Sequence, residues 1–202
     1  VEKDGQVVAV VHGISHAKIK EGRNLARMFR RSQQHQCFQL GVLHCTVEGQ
    51  SKADRYAPCS LDDLKNSGLD AWALGHVHER ATLSAAPFVA YSGNAQGLHI
   101  NEPGPRGCLR VTASPQADGT FACREDFVRL GPVQWAKVQV DLDDVADLNE
   151  VERRMTTALE QAAESTDPGC DALIARVVLR GRTPLDAALR DTVNQEDMAE
   201  RL

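Results

Sequence analysis

The chain has 202 residues, 42% of them hydrophobic and 25% charged, with a formal net charge of −5. These values describe a globular protein of one large domain, or of one medium and one small. No stretch approaches the 18 apolar residues of a transmembrane helix, and the acidic balance argues against a general field for nucleic acid.

The chain opens on Val1 rather than Met, with no signal peptide, as a fragment or a processed product would. Val7 to His12 is a continuous apolar run, which predicts a strand buried on both faces. His16 to Arg31 reads as a basic helix with Ile19, Leu25, Met28 and Phe29 inward. Cys37 to His44 is a second strand, followed by a polar, turn-rich loop from Val47 to Pro58. Ser60-Leu61-Asp62-Asp63 forms a capping box for a short helix that Gly68 stops. Asp70 to Leu74 is a third buried strand. Strand–helix–strand alternation of this kind favours an α/β layered domain. Short strands follow at 81–84, 88–91, 107–113 and 120–130, with residues 116–119 as a hairpin loop.

Gly131-Pro132 is a natural seam, and Trp135 beyond it is expected to plug the boundary. The charge also divides here: residues 1–133 carry 15 basic and 13 acidic side chains, residues 134–202 carry 8 and 15. A strand at 135–142, an acidic amphipathic helix at 145–165 with Val151, Met155, Leu159 and Ala162 on one face, and a strand at 172–179 compose a β-α-β unit. Helical stretches at 185–189 and 193–202 close the chain. The expected organisation is therefore a domain over 1–131 and a small α+β domain over 134–202. The six cysteines include no C-x-x-C pair, and such scattered thiols read as reduced, cytoplasmic residues.

Histidines stand where two apolar strands run out: Gly41-Val42-Leu43-His44, and Leu74-Gly75-His76-Val77-His78. Loops at strand ends are where α/β enzymes assemble their sites. In an extended segment His76 and His78 point to the same side, roughly 7 Å apart, and imidazole suits Zn, Mn, Fe, Ni or Cu. The plain alternative is three polar residues bonded to backbone or water. His12 and His16 read as structural or solvated, His35 as loop surface, and Cys45 as a small buried thiol more than a ligand.

Three ordered blocks carry a resemblance: 41–49 (Gly-Val-Leu-His-Cys-Thr-Val-Glu-Gly), 73–78 (Ala-Leu-Gly-His-Val-His) and 91–102 (Tyr-Ser-Gly-Asn-Ala-Gln-Gly-Leu-His-Ile-Asn-Glu), continued by Arg106-Gly107-Cys108. Together they resemble the calcineurin-like metallophosphoesterases, in their DNA-repair-exonuclease branch of SbcD-like and YhaO-like nucleases. The resemblance implies a mixed α/β fold: part of a metallophosphoesterase β-sandwich flanked by helices, followed by the start of a small α+β capping domain. It implies two divalent ions, commonly manganese, in the intact enzyme, with His44 and His76 on one ion and His78 helping to bind the other. Asn94, His99 and Arg106 become candidates for the substrate groove.

The family's earlier motifs, an Asp-x-His, a Gly-Asp and a Gly-Asn-His-Asp, are not in this chain, so no catalytic residue is assigned. The chain then corresponds to the C-terminal part of the catalytic domain, with weak or single-ion binding and negligible activity by itself. The resemblance further implies DNA as substrate of the intact protein, a coiled-coil ATPase subunit as partner, and no membrane. Apolar faces left uncovered by the missing strands predict a homodimer or other self-association. Two alternatives stand beside this reading: a non-catalytic interaction module on a degenerate phosphoesterase scaffold, and a phosphodiesterase or phosphatase acting on a small nucleotide. The Lys18, Lys20, Arg23, Arg27, Arg30 and Arg31 stripe reads as a solvated helix face, with nucleic-acid contact second.

Overall fold

The structure, a computed structural model, describes residues 1–16, 20–49 and 55–201. They divide into two units, one of residues 1–95 with 107–130, the other of residues 96–106 with 131–202. The fold is mixed α/β, as the sequence predicts.

The first unit begins with a two-residue antiparallel pair, β1 (Glu2–Lys3) and β2 (Gln6–Val7), turned by Asp4 and Gly5 at positive φ. Then come β3 (Ala9–Gly13), β4 (Phe38–His44), helix α1 (Leu61–Lys65), β5 (Ala71–Gly75), β6 (Ala81–Ala85) and β7 (Phe88–Tyr91). The five longer strands form one sheet in the order β3-β4-β5-β7-β6, parallel except for β6. β8 (Gly107–Pro115) and β9 (Phe121–Arg129) are an antiparallel hairpin. Its Asp118 carboxylate accepts from the Thr120 N–H and hydroxyl, and Gly119 takes the positive φ of the turn.

The hairpin lies over one face of the sheet. Phe121 meets Phe38 edge-on, the Arg80 guanidinium sits 3.9 Å from the Phe127 ring, and Thr82 donates to Glu125. An apolar cavity of about 270 Å³ remains between these layers, lined by Leu40, Ala71, Phe88, Ala90, Leu109 and Val111. The opposite face carries the main core, with Leu25, Phe29, Leu43, Leu64, Trp72 and Tyr91.

Trp72 organises that core. Its indole N–H donates to the Leu64 carbonyl, Phe29 packs on its ring, and the ring lies flat against Gly41 of the neighbouring strand. The capping box predicted at Ser60 forms: the Asp63 N–H donates to the Ser60 hydroxyl, and the Ser60 N–H donates to Asp63. This bond from Ser60, with Arg27 and Asn24, holds the Asp63 carboxyl well below the usual carboxylate range. Gly68 then turns the chain at φ +77°.

Two expectations are corrected here. β3 is an outer strand rather than one buried on both faces: it pairs only with β4, and Val11 is half exposed. The helix expected from His16 to Arg31 is replaced, in its described residues, by bends and a single 3-10 turn at Leu25–Met28. Lys18 and Ile19 lie outside the described residues. Leu25 and Phe29 point inward as predicted, whereas Met28 is exposed. The physical reason lies in the arginines, which tether the segment instead of lining a helix face. Arg23 closes on Glu21, Arg27 on Asp63, Arg31 on Asp70, and Arg30 donates to the carbonyls of Arg27 and Phe29. Glu21 is pulled down to about 2 by its side-chain bond to Arg23.

The second unit contains β10 (Val133–Asp141), helix α2 (Leu148–Glu164), β11 (Ala172–Arg180), helix α3 (Asp186–Arg190) and helix α4 (Thr192–Arg201). β10 and β11 are parallel and in continuous register, so the β-α-β reading holds. Asp147 caps α2, which presents Val151 and Met155 to the sheet residues Val138 and Val140, while Met198 of α4 joins the same core. Residues 96–106 bond to this unit: Gln96 donates to the Val133 carbonyl, the Trp135 indole N–H to Gly97, and the Gly104 N–H to Trp135. Trp135 is thereby fixed within the second unit.

A Cβ on Gly41 would stand 2.5 Å from Trp72 Cε3, a ring held by a hydrogen bond and by Phe29. Gly41→Ala is therefore expected to cost about 1–3 kcal/mol, as overpacking of a filled core does. Urea denaturation followed by circular dichroism measures the loss; an unchanged midpoint would contradict this packing.

Candidate metal centre

Parallel strands of one sheet end on the same side, and the loops that follow them share that side. The β4–β5 register pairs Leu40 with Ala71 and, at its far end, His44 with Gly75. β3 runs parallel on the other side of β4, with Gly13 opposite Val42. Three chain segments thus deliver residues to one edge: His16 after β3, His44 closing β4, and His76 just after β5.

The rings come together there. His44 Nε2 and His76 Nδ1 are 3.2 Å apart, with ring centroids at 5.1 Å. His16 meets His44 edge-on at 5.8 Å. Tyr56 sits among them, 4.7 Å from His16, 5.2 Å from His44 and stacked on His76 at 5.7 Å.

The strand does not continue through the second histidine. β5 stops at Gly75, and His76 adopts φ +100°, a left-handed conformation that non-glycine residues rarely take. The extended geometry expected for residues 76–78 is accordingly absent, and the turn sends the His76 ring toward His44. Gly75 is part of this closeness: a Cβ there would stand 3.1 Å from His44 Nδ1. The His78 carbonyl accepts from the Asn94 N–H at 3.2 Å. That approach needs Gly93, at φ +75°, whose Cβ would lie 2.9 Å from the same carbonyl.

Partial desolvation of the His44 ring, and then the nearby His76, His16 and His78, hold its pKa below the ordinary imidazole value. The chemistry suits metal binding, which requires neutral imidazole. Two imidazole nitrogens bound to one ion at about 2.0–2.1 Å stand roughly 3.0–3.4 Å apart. The observed 3.2 Å is a hydrogen bond between the two rings, and its length lies in that interval, as a pair able to exchange the shared proton for an ion requires. The donor set is incomplete all the same: among the described residues no group of three His, Cys, Asp or Glu side chains is set to hold a metal ion.

The other predicted site residues are distributed as follows. The Asn94 N–H donates to the His78 carbonyl, and its carbonyl accepts from the Gly107 N–H. His99 and Arg106 belong to the second unit. His99 Nδ1 accepts from the Asn101 N–H and its ring lies 3.7 Å from Glu102, while Arg106 donates to the Pro103 carbonyl. His12, read as structural, bonds to the buried Gln39. Cys45 is buried with its sulfur 3.8 Å from Cys59.

Sequence reasoning missed His16 and Tyr56. The signal for His16 was available: it follows the end of a strand that runs parallel to β4. Nothing in the sequence singles out Tyr56.

Comparisons with known proteins bear on this arrangement. Residues 135–202 match the family model "Metallophosphoesterase YhaO, middle domain". That match covers about a third of the chain, all of it within the second unit.

The chain is 34% identical over 183 residues, 90% of its own length, to the uncharacterized metallophosphoesterase YhaO of Bacillus subtilis (strain 168). It spans 42% of that protein's length. A shorter similarity, 30% identity over 92 residues, links it to kynurenine 3-monooxygenase of Myxococcus xanthus (strain DK1622), covering 46% of this chain and 18% of that enzyme. No helix among the described residues is long and apolar enough to cross a membrane.

Calorimetric titration with manganese(II) or cobalt(II) tests the pair. His44→Ala and His76→Ala are each expected to weaken binding about tenfold or more, by comparison with the 10–100-fold losses seen when even outer partners of ligands are removed. His35→Asn should leave it unchanged. Because the His44 pKa is lowered, protons displace the ion only at a pH below the ordinary imidazole value of 6.5. Displacement already complete above that value would contradict the assigned environment.

Proposed function

We propose that this chain is the histidine-bearing part of a divalent-metal phosphodiesterase of the DNA-repair-exonuclease type, with manganese as the ion. The observation that carries the reading is the 3.2 Å approach of His44 Nε2 to His76 Nδ1 at the edge where parallel strands end. A bound divalent ion supplies Lewis acidity toward a phosphoryl oxygen and stabilises its charge. The chain's own residues hold and orient: the left-handed turn at His76 aims one imidazole, the end of β4 aims the second, and Tyr56 packs against both rings. His78 belongs to the same edge and serves a second ion, which needs carboxylates supplied from outside this chain. Neutral imidazoles leave the charge of the ion available to the substrate, where added carboxylates would offset it.

The second reading, a scaffold that has lost its chemistry, draws on the lack of any three-ligand group among the described residues. A digestion assay on the longer protein separates the two. Manganese-dependent degradation of linear DNA, abolished by His44→Ala and His76→Ala, is the outcome expected. Turnover of p-nitrophenyl phosphate without any action on DNA would replace DNA by a small nucleotide substrate. No turnover of either would leave the scaffold reading. The 202-residue chain alone is expected to show no activity above that of its His76→Ala variant.

Self-association belongs to the same proposal. β3 is an outer strand with Val11 exposed, Val8 just ahead of it is exposed, and Val42 beside it on β4 is exposed as well. Static light scattering is expected to give a dimer or larger species. A monodisperse monomer across the micromolar range would remove this part of the proposal.

A further inference from the structure

The loop that carries Tyr56 is anchored by two cysteines. Cys45 follows His44 directly at the end of β4, and Cys59 lies just ahead of α1. Both side chains are almost fully buried, and their sulfurs are 3.8 Å apart. All six cysteines of the chain are free thiols.

Backbone bonds hold the two residues face to face. The Cys45 N–H donates to the Gly75 carbonyl, the Cys59 N–H to Thr46, and the Glu48 N–H to the Cys59 carbonyl. The last two bonds form an isolated parallel bridge between Val47 and Cys59. Tyr91 pins the same stretch from below: its hydroxyl donates to the Cys45 carbonyl and accepts from the Val47 N–H. The thiols therefore cannot drift apart without breaking this ladder. A bond of about 2.05 Å needs the sulfurs to close by less than 2 Å.

We infer that Cys45 and Cys59 are a reversible disulfide site that fastens the loop carrying Tyr56 to the end of β4. The co-reactant is a hydroperoxide, small enough to reach a buried pair. One sulfur, as thiolate, displaces hydroxide from hydrogen peroxide to give a sulfenic acid. The other thiol attacks that sulfur, the S–S bond forms, and water leaves. Two thiols and one peroxide thus yield one disulfide and two waters. The inference is independent of metal binding and of any phosphoesterase activity.

The test uses the full chain in its native state, treated with stoichiometric hydrogen peroxide, alkylated with N-ethylmaleimide and digested with trypsin for mass spectrometry. The expected product links the segment 32–52 to the segment 56–65, with loss of two hydrogens. It is reversed by dithiothreitol and accompanied by a higher thermal midpoint. Because segment 32–52 also carries Cys37, the link must persist in Cys37→Ser and vanish in Cys59→Ser. Three results would overturn the inference: a link made by Cys37, separate oxidation of Cys45 and Cys59 to sulfinic acids, or both thiols still alkylated after unfolding while the four half-buried cysteines have reacted. Should Cys59→Ser fail to fold, the wild-type and Cys37→Ser peptide maps decide by themselves.

Discussion

The geometry of the first unit depends on one contact, the flat seating of the Trp72 ring against Gly41. Parallel strands can slip in steps along their ladder, and a slip of one residue reverses which face each side chain occupies. Trp72 removes that freedom. Its indole is tied to the Leu64 carbonyl and packed by Phe29, and the only neighbour flat enough to receive it on β4 is a glycine. Once that pair is set, His44 stands opposite Gly75, and the next residue of β5's exit is His76. The position of the imidazoles is thus decided by a hydrophobic contact several residues away from them.

The edge they occupy is the usual meeting place of loops in a parallel sheet. Here it gathers an aromatic ring and three imidazoles from four separate stretches of chain. Tyr56 contributes shape: it stacks on one histidine and meets the other two edge-on, which limits the rotamers open to each. Gly75 and Gly93 contribute space, since a side chain at either would press on His44 or on the His78 carbonyl. The second unit builds its own core around a β-α-β pair and acquires residues 96–106 through Trp135 and Gln96.

Much of this was legible from residue pattern. The strands expected at 37–44 and 70–74, the Ser60 cap, the hairpin about Gly119 and the amphipathic face of α2 follow from periodicity and turn chemistry, which are local. The failures are where tertiary contacts overrule local signals. The basic run after His16 has helical spacing, but its arginines pair with Glu21, Asp63 and Asp70 and tie the segment down in another shape. The apolar run at Val7–His12 looks like a central strand because composition cannot tell an inner strand from an outer one whose face is left open. The 76–78 segment looks extended because nothing in Gly-His-Val-His announces a left-handed histidine. Tyr56 was invisible, since its role arises from the return of a loop and not from its own neighbours in sequence.

That left-handed histidine has a broader meaning. At φ +100° the backbone would accept glycine with no steric penalty, and glycine would relieve a cost of order 1–3 kcal/mol. Backbone strain alone would favour glycine at this position, so the imidazole stands there at a cost to stability.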